Sequence, residues 1–232
     1  MAQVLTLTRP CPLEIECPDG VHRPGPASFE LAKYLFSVKG KRVLDLACGT
    51  GLYAVAAAKL GASEVWATDL DPAAVDCART NAARNGVAIQ ARAGSLFEPV
   101  TDERFDLIAC NPPQTPAPAG IRGPKFGGED GLLYFRSILA EAPRHLAAGG
   151  ILLTFLSSLA DTRLFETLLS GKFRFRALPT LRRPFTPEEF EGYHPGLMDY
   201  LRERQRGGLA EFEDSPGACA FTVRFYMAMK LP

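Results

Sequence analysis

Arg42-Val43-Leu44-Asp45-Leu46-Ala47-Cys48-Gly49-Thr50-Gly51 is the stretch whose reading decides the fold. Val43, Leu44 and Leu46 form a short apolar run bounded by charge on one side and glycine on the other, the pattern of a buried strand. Residues 51–60 are Ala-rich and read as a helix that Gly61 ends. A strand that passes through a glycine turn into a helix is the repeating unit of parallel α/β sheets. Glycines at 49 and 51 let the backbone approach a ligand with no Cβ in the way. The first amides of the helix point into the same space.

The alternation continues outward from this unit. Residues 1–26 read as a Pro-rich N-terminal segment with one short strand, and Ser28 caps a helix running to about Val38. Val65-Trp66-Ala67-Thr68 is a second strand, and Pro72 opens a helix to about Asn85. A third strand lies near 88–93, and Phe105-Asp106-Leu107-Ile108-Ala109-Cys110 is the fourth. Residues 112–128, rich in proline and glycine, are a loop long enough to carry function. A helix over Asp130–His145 and a strand over Gly150–Phe155 come next. A helix at 161–169, a strand near 172–179, a charged segment at 187–206 and a strand from Ala220 to Met229 complete the chain. The expected fold is α/β, a mostly parallel sheet with helices on both faces, in a single domain over 1–232. Its parts are an N-terminal segment and helix (1–40), a ligand-binding core (41–160) and a substrate-side part (161–232). Whether the last strands pair antiparallel at one edge is left open by spacing.

Bulk properties exclude several classes. The 232 residues are 47% hydrophobic, which fits a folded domain. Lys and Arg total 26 and Asp and Glu total 26, so the zero net charge disfavours affinity resting on phosphate contacts without excluding a nucleic acid. No apolar run approaches about 20 residues, so no membrane span is expected. Met1-Ala2-Gln3-Val4-Leu5-Thr6 lacks the pattern of a signal peptide. Cys11, Cys17, Cys48, Cys77, Cys110 and Cys219 form no C-x-x-C pair and read as reduced thiols of a cytoplasmic protein. Three scattered histidines complete no metal-binding spacing, so no metal is expected.

In a doubly wound sheet, ligands bind at the carboxyl ends of the strands near the switch point. Besides the glycine turn, Asp69 stands there at the end of the second strand, where a carboxylate accepts ribose hydroxyls. Gly94-Ser95-Leu96-Phe97 follows the third strand, within reach of an adenine edge. Position 54 is Ala, so the G-x-G-x-x-G of dinucleotide enzymes is absent, and Asp45 suits an ammonium group better than a pyrophosphate. Val43–Gly51 resembles the first motif of class I S-adenosylmethionine-dependent methyltransferases, with their Rossmann-like fold and seven-stranded sheet. Thr68-Asp69-Leu70-Asp71 with Ala74, Ala78-Arg79 and Asn81 resembles the second. The resemblance implies S-adenosyl-L-methionine as cofactor, its amino-acid end over Asp45, Ala47 and Gly49, its ribose at Asp69, and its adenine near Leu70, Ser95 and Leu96. The implied binding set also takes in Cys48, Gly51 and Asn111.

Asn111-Pro112-Pro113-Gln114 follows the fourth strand. An amide or aromatic amine is a poor nucleophile because its lone pair is delocalised. Two acceptors aimed at its N–H groups, the Asn111 side-chain oxygen and the Pro112 carbonyl, favour the geometry that exposes the lone pair. Pro113 stiffens the loop. The segment resembles the Asn-Pro-Pro-aromatic motif of amino methyltransferases acting on glutamine amides, adenine N6 or guanine N2. Gly127-Gly128-Glu129-Asp130-Gly131-Leu132 with Tyr134-Phe135, and Val21-His22-Arg23-Pro24 with Ser28-Phe29 and Leu31, resemble the HemK/PrmC-like, glutamine-methylating branch.

Gln114 replaces the aromatic, a group that stacks on planar substrates. The expected function is N-methylation of a planar amide, amino or guanidino nitrogen, with Asn111 and Pro112 catalytic. The substrate is a small molecule, a peptide or a protein glutamine. An RNA or DNA base is the disfavoured alternative, and a non-catalytic methyltransferase-like subunit is a third reading. Pro113, Gln114 and the pair Arg182-Arg183 are the candidate substrate contacts, the arginines as a carboxylate clamp. Arg202-Glu203-Arg204-Gln205-Arg206 reads as a solvated helix face, and His194 as an ordinary loop histidine.

Overall fold

The computed structural model describes residues 3–7, 11–35, 37–215 and 218–231. Met1, Ala2 and Phe36, on which parts of two expectations fall, lie outside them. By contacts the chain divides into two compact units. The first holds Met1–Asn111, Glu141–Thr154 and Met227–Pro232, and the second holds Pro112–Ala140 and Phe155–Tyr226.

In the first unit, the strand read around Asp45 is β3 (Arg42–Leu46). It precedes α2 (Leu52–Lys59), β4 (Glu64–Asp69), α3 (Pro72–Arg84), β5 (Gln90–Ala93) and β6 (Phe105–Cys110). After a helix, α4 (Leu133–His145), the chain enters β7 (Leu146–Ser157). The strand order β7-β6-β3-β4-β5 is parallel throughout. β3 lies at its centre, and the winding reverses between β3 and β6, where Leu46 pairs with Cys110. This is the switch point at which open α/β sheets carry their ligands. The residues that follow the two paired positions are Ala47 and Asn111.

The N-terminal segment holds two strands where one was expected. β1 (Gln3–Leu7) pairs antiparallel with β2 (Leu13–Cys17). Leu13, Ile15 and Cys17 are buried and Glu14 is exposed, a period-two pattern that the sequence carries openly. α1 (Pro26–Ala32) follows and is shorter than its expected run to Val38, ending in a 3-10 turn over Lys33–Leu35.

α3 holds β2 through two carboxamides four residues apart on one helix face. Asn81 accepts from the Glu16 amide at 2.8 Å and donates to the Glu16 carbonyl at 2.9 Å. Asn85 accepts from the Glu14 amide at 3.0 Å and donates to its carbonyl at 2.7 Å. Each side chain thus substitutes for a neighbouring strand. Asn81 also donates to the Thr50 carbonyl at 2.9 Å, which ties the glycine turn to the same helix.

The second unit is built on α4, α5 (Thr162–Ser170), β8 (Phe173–Ala177), β9 (Leu181–Phe185), α6 (Pro187–Glu191), α7 (Leu197–Arg206) and β10 (Phe212–Glu213). β11 (Cys219–Lys230) is twelve residues long and pairs with β7, β8, β9 and β10. Its pairings with β9 and β10 are antiparallel, which answers the edge question that spacing left open. Among the described residues the sheet therefore counts nine strands where seven were expected, because one long strand offers room for short partners. Among these is β9, which the sequence hid. Pro184 inside it weakens the strand signal, since proline cannot donate to a ladder.

Gly51 shows why the first glycine turn is written as it is. Its φ is +75°, and a Cβ placed there would stand 2.7 Å from the Ala78 Cβ of α3. This glycine serves helix packing, with no ligand required. Gly51→Ala is expected to lower stability by about 1–3 kcal/mol, read as a fall in the urea midpoint at unchanged slope.

Candidate active site

Asp45 is fully buried at the carboxyl end of β3. Its Oδ2 accepts from the Ala54 amide at 2.9 Å, so the carboxylate sits behind the first turn of α2. Its Oδ1 has no hydrogen-bond partner among the described residues. Burial, with a smaller push from Asp69, raises the carboxyl to about 8. An orphaned, buried acid is costly to a fold, and such groups gather where a ligand supplies the missing charge.

Asp69, the last residue of β4, organises the next layer. Its Oδ2 accepts from the Gly49 amide at 2.8 Å and its Oδ1 from the Asp71 amide at 3.0 Å. The Cys48 amide donates to the Thr68 carbonyl at 3.0 Å, so the whole turn is pinned to the end of β4. The Cys48 thiol is held well above its ordinary range by burial and stays protonated. Ala47 and Leu96 have φ of +57° and +45°, the two non-glycine residues with positive φ among those described. Strain of this kind, about 1–3 kcal/mol per residue, persists where the surroundings enforce it. The Leu96 carbonyl is held by Thr68 Oγ1 at 3.0 Å. Leu70 is 71% exposed and Ser95 is also exposed. The Ser95 amide donates to Glu98 at 3.0 Å.

Asn111 continues β6 past Cys110, whose carbonyl is fixed by Thr154 Oγ1 at 2.9 Å. The Asn111 Nδ2 donates to Ser28 Oγ at 3.2 Å. Ser28 lies in α1 and is buried. The first unit therefore brings together Asp45, Ala47, Cys48, Gly49, Asp69, Leu96 and Asn111 at the ends of adjacent strands. Sequence reading missed Ser28 as Asn111's partner. It took Ser28 for a helix cap, whereas α1 has Gly25 as its N-cap and no side-chain cap bond.

In the second unit, Gln114 departs from expectation. Its side chain is buried, with Nε2 donating to the Phe155 carbonyl at 3.3 Å and Oε1 accepting from the Ser157 amide at 2.7 Å. The carboxamide stitches the loop to the end of β7, and does not present itself as a substrate hydrogen-bonding group. The glycines after it allow a close backbone approach. A Cβ on Gly127 would lie 2.7 Å from the Gln114 Cα, and one on Gly131 would lie 2.5 Å from the Gln114 carbonyl oxygen. The intervening loop is tied by the Thr115 amide to the Lys125 carbonyl at 2.9 Å and by Ala117 to Gly128 at 3.0 Å.

The arginine pair does not form a shared clamp. Arg182 is bound by Glu213, its Nε at 2.9 Å, and Arg183 by Glu189, its Nη1 at 3.3 Å. Neighbours along a strand point to opposite faces, so each guanidinium finds its own carboxylate. Arg204, read as part of a solvated face, is buried, lies over the Tyr200 ring and donates to the Leu209 carbonyl at 3.1 Å. The His194 Nδ1 is buried with no partner among the described residues. No group of three or more His, Cys, Asp or Glu among the described residues has the placement of a metal site. Among them no helix is long and apolar enough to cross a membrane.

Residues 25–175 match the family model of the methyltransferase small domain. The chain belongs to this family. A Methanocaldococcus jannaschii protein, provisionally named protein N5-glutamine methyltransferase, is 35% identical over 174 residues, 71% of this chain and 87% of that one. A release factor glutamine methyltransferase of Deinococcus radiodurans is 39% identical over 182 residues, 74% of this chain. The match spans 60% of that relative's length, and 44% of the Geobacter sulfurreducens release factor glutamine methyltransferase. The fold is also that of a T. thermophilus 16S rRNA N2 G1207 methyltransferase solved with AdoMet and guanosine, with a TM-score of 0.64 at 20% identity. That match covers all of this chain and 50% of the other. The family is the class I, HemK/PrmC-like one that the motifs resembled, and S-adenosylmethionine is its cofactor.

The Asp45 carboxyl makes a stability prediction. Its folded pKa lies above the ordinary value, so the folded state binds the extra proton and loses stability as pH rises from about 4 to about 8. Asp45→Asn removes that loss. Without ligand, the variant is expected to gain on the parent in thermal midpoint as pH rises from 5 to 8. A constant difference across this range would refute the buried, protonated acid.

Proposed function

We propose that this enzyme transfers a methyl group from S-adenosylmethionine to the side-chain amide nitrogen of a glutamine in a protein. The observation that carries this reading is the position of Asn111. It leaves β6 beside the glycine turn of β3, and its carboxamide nitrogen is turned to Ser28, so the oxygen faces the other way. Relatives named for glutamine methylation match 71–74% of the chain, which supports the acceptor class.

Asp45 fits the cofactor's ammonium group, because a cation would satisfy its orphaned Oδ1 and lower the cost of its charge. Asp69 holds the turn with two backbone bonds and retains lone pairs for ribose hydroxyls. Ala47, Cys48 and Gly49 form the wall beneath the amino-acid end, and Leu70, Ser95 and Leu96 the edge for adenine. When bound, the cofactor supplies a methyl group made electrophilic by the sulfonium that carries it. Asn111 Oδ1 and the carbonyl of the next residue, Pro112, accept the two N–H groups of the substrate amide and turn its lone pair toward that methyl. Asn111 Oδ1 and the Pro112 carbonyl would hold both N–H groups while the nitrogen takes up that methyl, and the proton the nitrogen gives up would pass to solvent after transfer, so no strong base is needed beforehand. Orientation and electrostatics carry the rate enhancement.

Gln114 argues against a nucleobase. The motif position that carries an aromatic, a group that stacks on a planar base, is occupied here by a carboxamide bonded to β7. The six cysteines are free thiols, which suits a cytoplasmic enzyme.

Two measurements test this reading. Incubation of cell extract with methyl-labelled cofactor is expected to place label in protein, recovered after enzymatic hydrolysis as N5-methylglutamine. Label that nuclease releases would overturn it. Asn111→Ala is expected to lower turnover by at least about 10²-fold while S-adenosylhomocysteine binds almost as before. Asp45→Asn is expected to weaken that binding at least about tenfold at pH 8.

A further inference from the structure

From the contacts of α1, we infer that Ser28 is a positioning residue that sets which end of the Asn111 carboxamide meets the acceptor. This rests on the reading of Asn111 given above. An asparagine amide is nearly symmetric in shape, yet its two ends act oppositely. The oxygen accepts from a substrate N–H, whereas the NH2 group would repel it. Nothing in Asn111 itself selects between the two rotations.

Ser28 supplies the selection. Its Oγ is the acceptor for Asn111 Nδ2 at 3.2 Å, across 83 residues of sequence. Both partners stand on fixed backbone. Ser28 is in the first turn of α1, its amide bonded to the Gly25 carbonyl at 2.9 Å, and only 4% of the residue is exposed. Asn111 is held through the Cys110 carbonyl by Thr154. A hydroxyl has one proton, and accepting from Asn111 requires that this proton point elsewhere. Tyr53 is a buried phenol on α2. Tyr53 has no hydrogen bond of full geometry among the described residues, yet Ser28 stands near enough to pull its pKa down against the larger upward push of burial. The unpartnered Tyr53 oxygen is an acceptor open to the Ser28 proton, which leaves Ser28 to accept from Asn111. The order Tyr53, Ser28, Asn111 runs from α2 through α1 to the end of β6.

The test reads the amide directly and then the reaction. In ¹⁵N–¹H spectra, the Asn111 side-chain pair is assigned by its loss in Asn111→Ala. In the parent its protons are expected to exchange slowly with solvent. Ser28→Ala should speed that exchange at least tenfold, leave S-adenosylhomocysteine affinity within twofold, and lower kcat for protein-glutamine methylation at least tenfold. Ser28→Thr keeps the hydroxyl and should restore both amide protection and kcat. In an Asn111→Ala background, Ser28→Ala should cost nothing more. Unchanged amide exchange in Ser28→Ala, or an undiminished loss of kcat in the Asn111→Ala background, overturns the inference. If the parent methylates no protein glutamine, the functional reading fails on its own, and the amide exchange still decides whether Ser28 orients Asn111.

Discussion

A carboxylate buried at the end of the central strand, with one oxygen unmatched, is the constraint around which the first unit is arranged. Asp45 is raised to about 8 because the loss of water, with a smaller push from Asp69, outweighs the backbone amides of α2 that face it, that of Ala54 first. The fold tolerates this cost because the neighbouring backbone is locked from several directions. Gly49 is tied to Asp69, Cys48 to Thr68, and Thr50 to Asn81. Ala47 is forced to a positive φ between them. A turn held this firmly does not rearrange to neutralise the acid. Without a ligand the acid is relieved by keeping its proton up to about pH 8, and the unmatched oxygen stays open to a cation.

The same economy of backbone positions extends to the end of β6. Asn111 and Ala47 follow residues that are directly paired across β3 and β6, so the glycine turn and Asn111 have one origin in the sheet. The residues after Asn111 are shaped by a different need. Gln114 closes the loop onto β7 with both ends of its carboxamide, and glycines at 127 and 131 let the returning chain pass against it. An aromatic at position 114 would lack these bonds. The departure from the family motif is thus a structural exchange, in which stacking surface is given up for a satisfied buried amide.

The parallel core was legible because strand, turn and helix alternate with clear punctuation. β3 and β6 have the bounds that the apolar runs announced, and β4 and α2 differ by a residue or two. The acidic residues at strand ends were legible for the same reason, since strand and turn fix their place. What stayed hidden depends on partners far apart in sequence. β9 exists because β11 is long enough to pair with it, despite Pro184. Arg182 and Arg183 looked alike on the chain, but they meet different carboxylates.

The sequence by itself determined the Rossmann-like core, the glycine turn and the position of Asn111, because each follows from local periodicity, glycine chemistry and one polar residue at a strand end. Only the tertiary structure decided which way polar side chains face. Gln114 turns inward, Asn81 replaces a strand partner, and Ser28 leaves its role as a cap to meet Asn111. The physical reason is that a carboxamide or hydroxyl takes its direction from the hydrogen-bond partner available to it, and those partners lie 41 to 83 residues away along the chain.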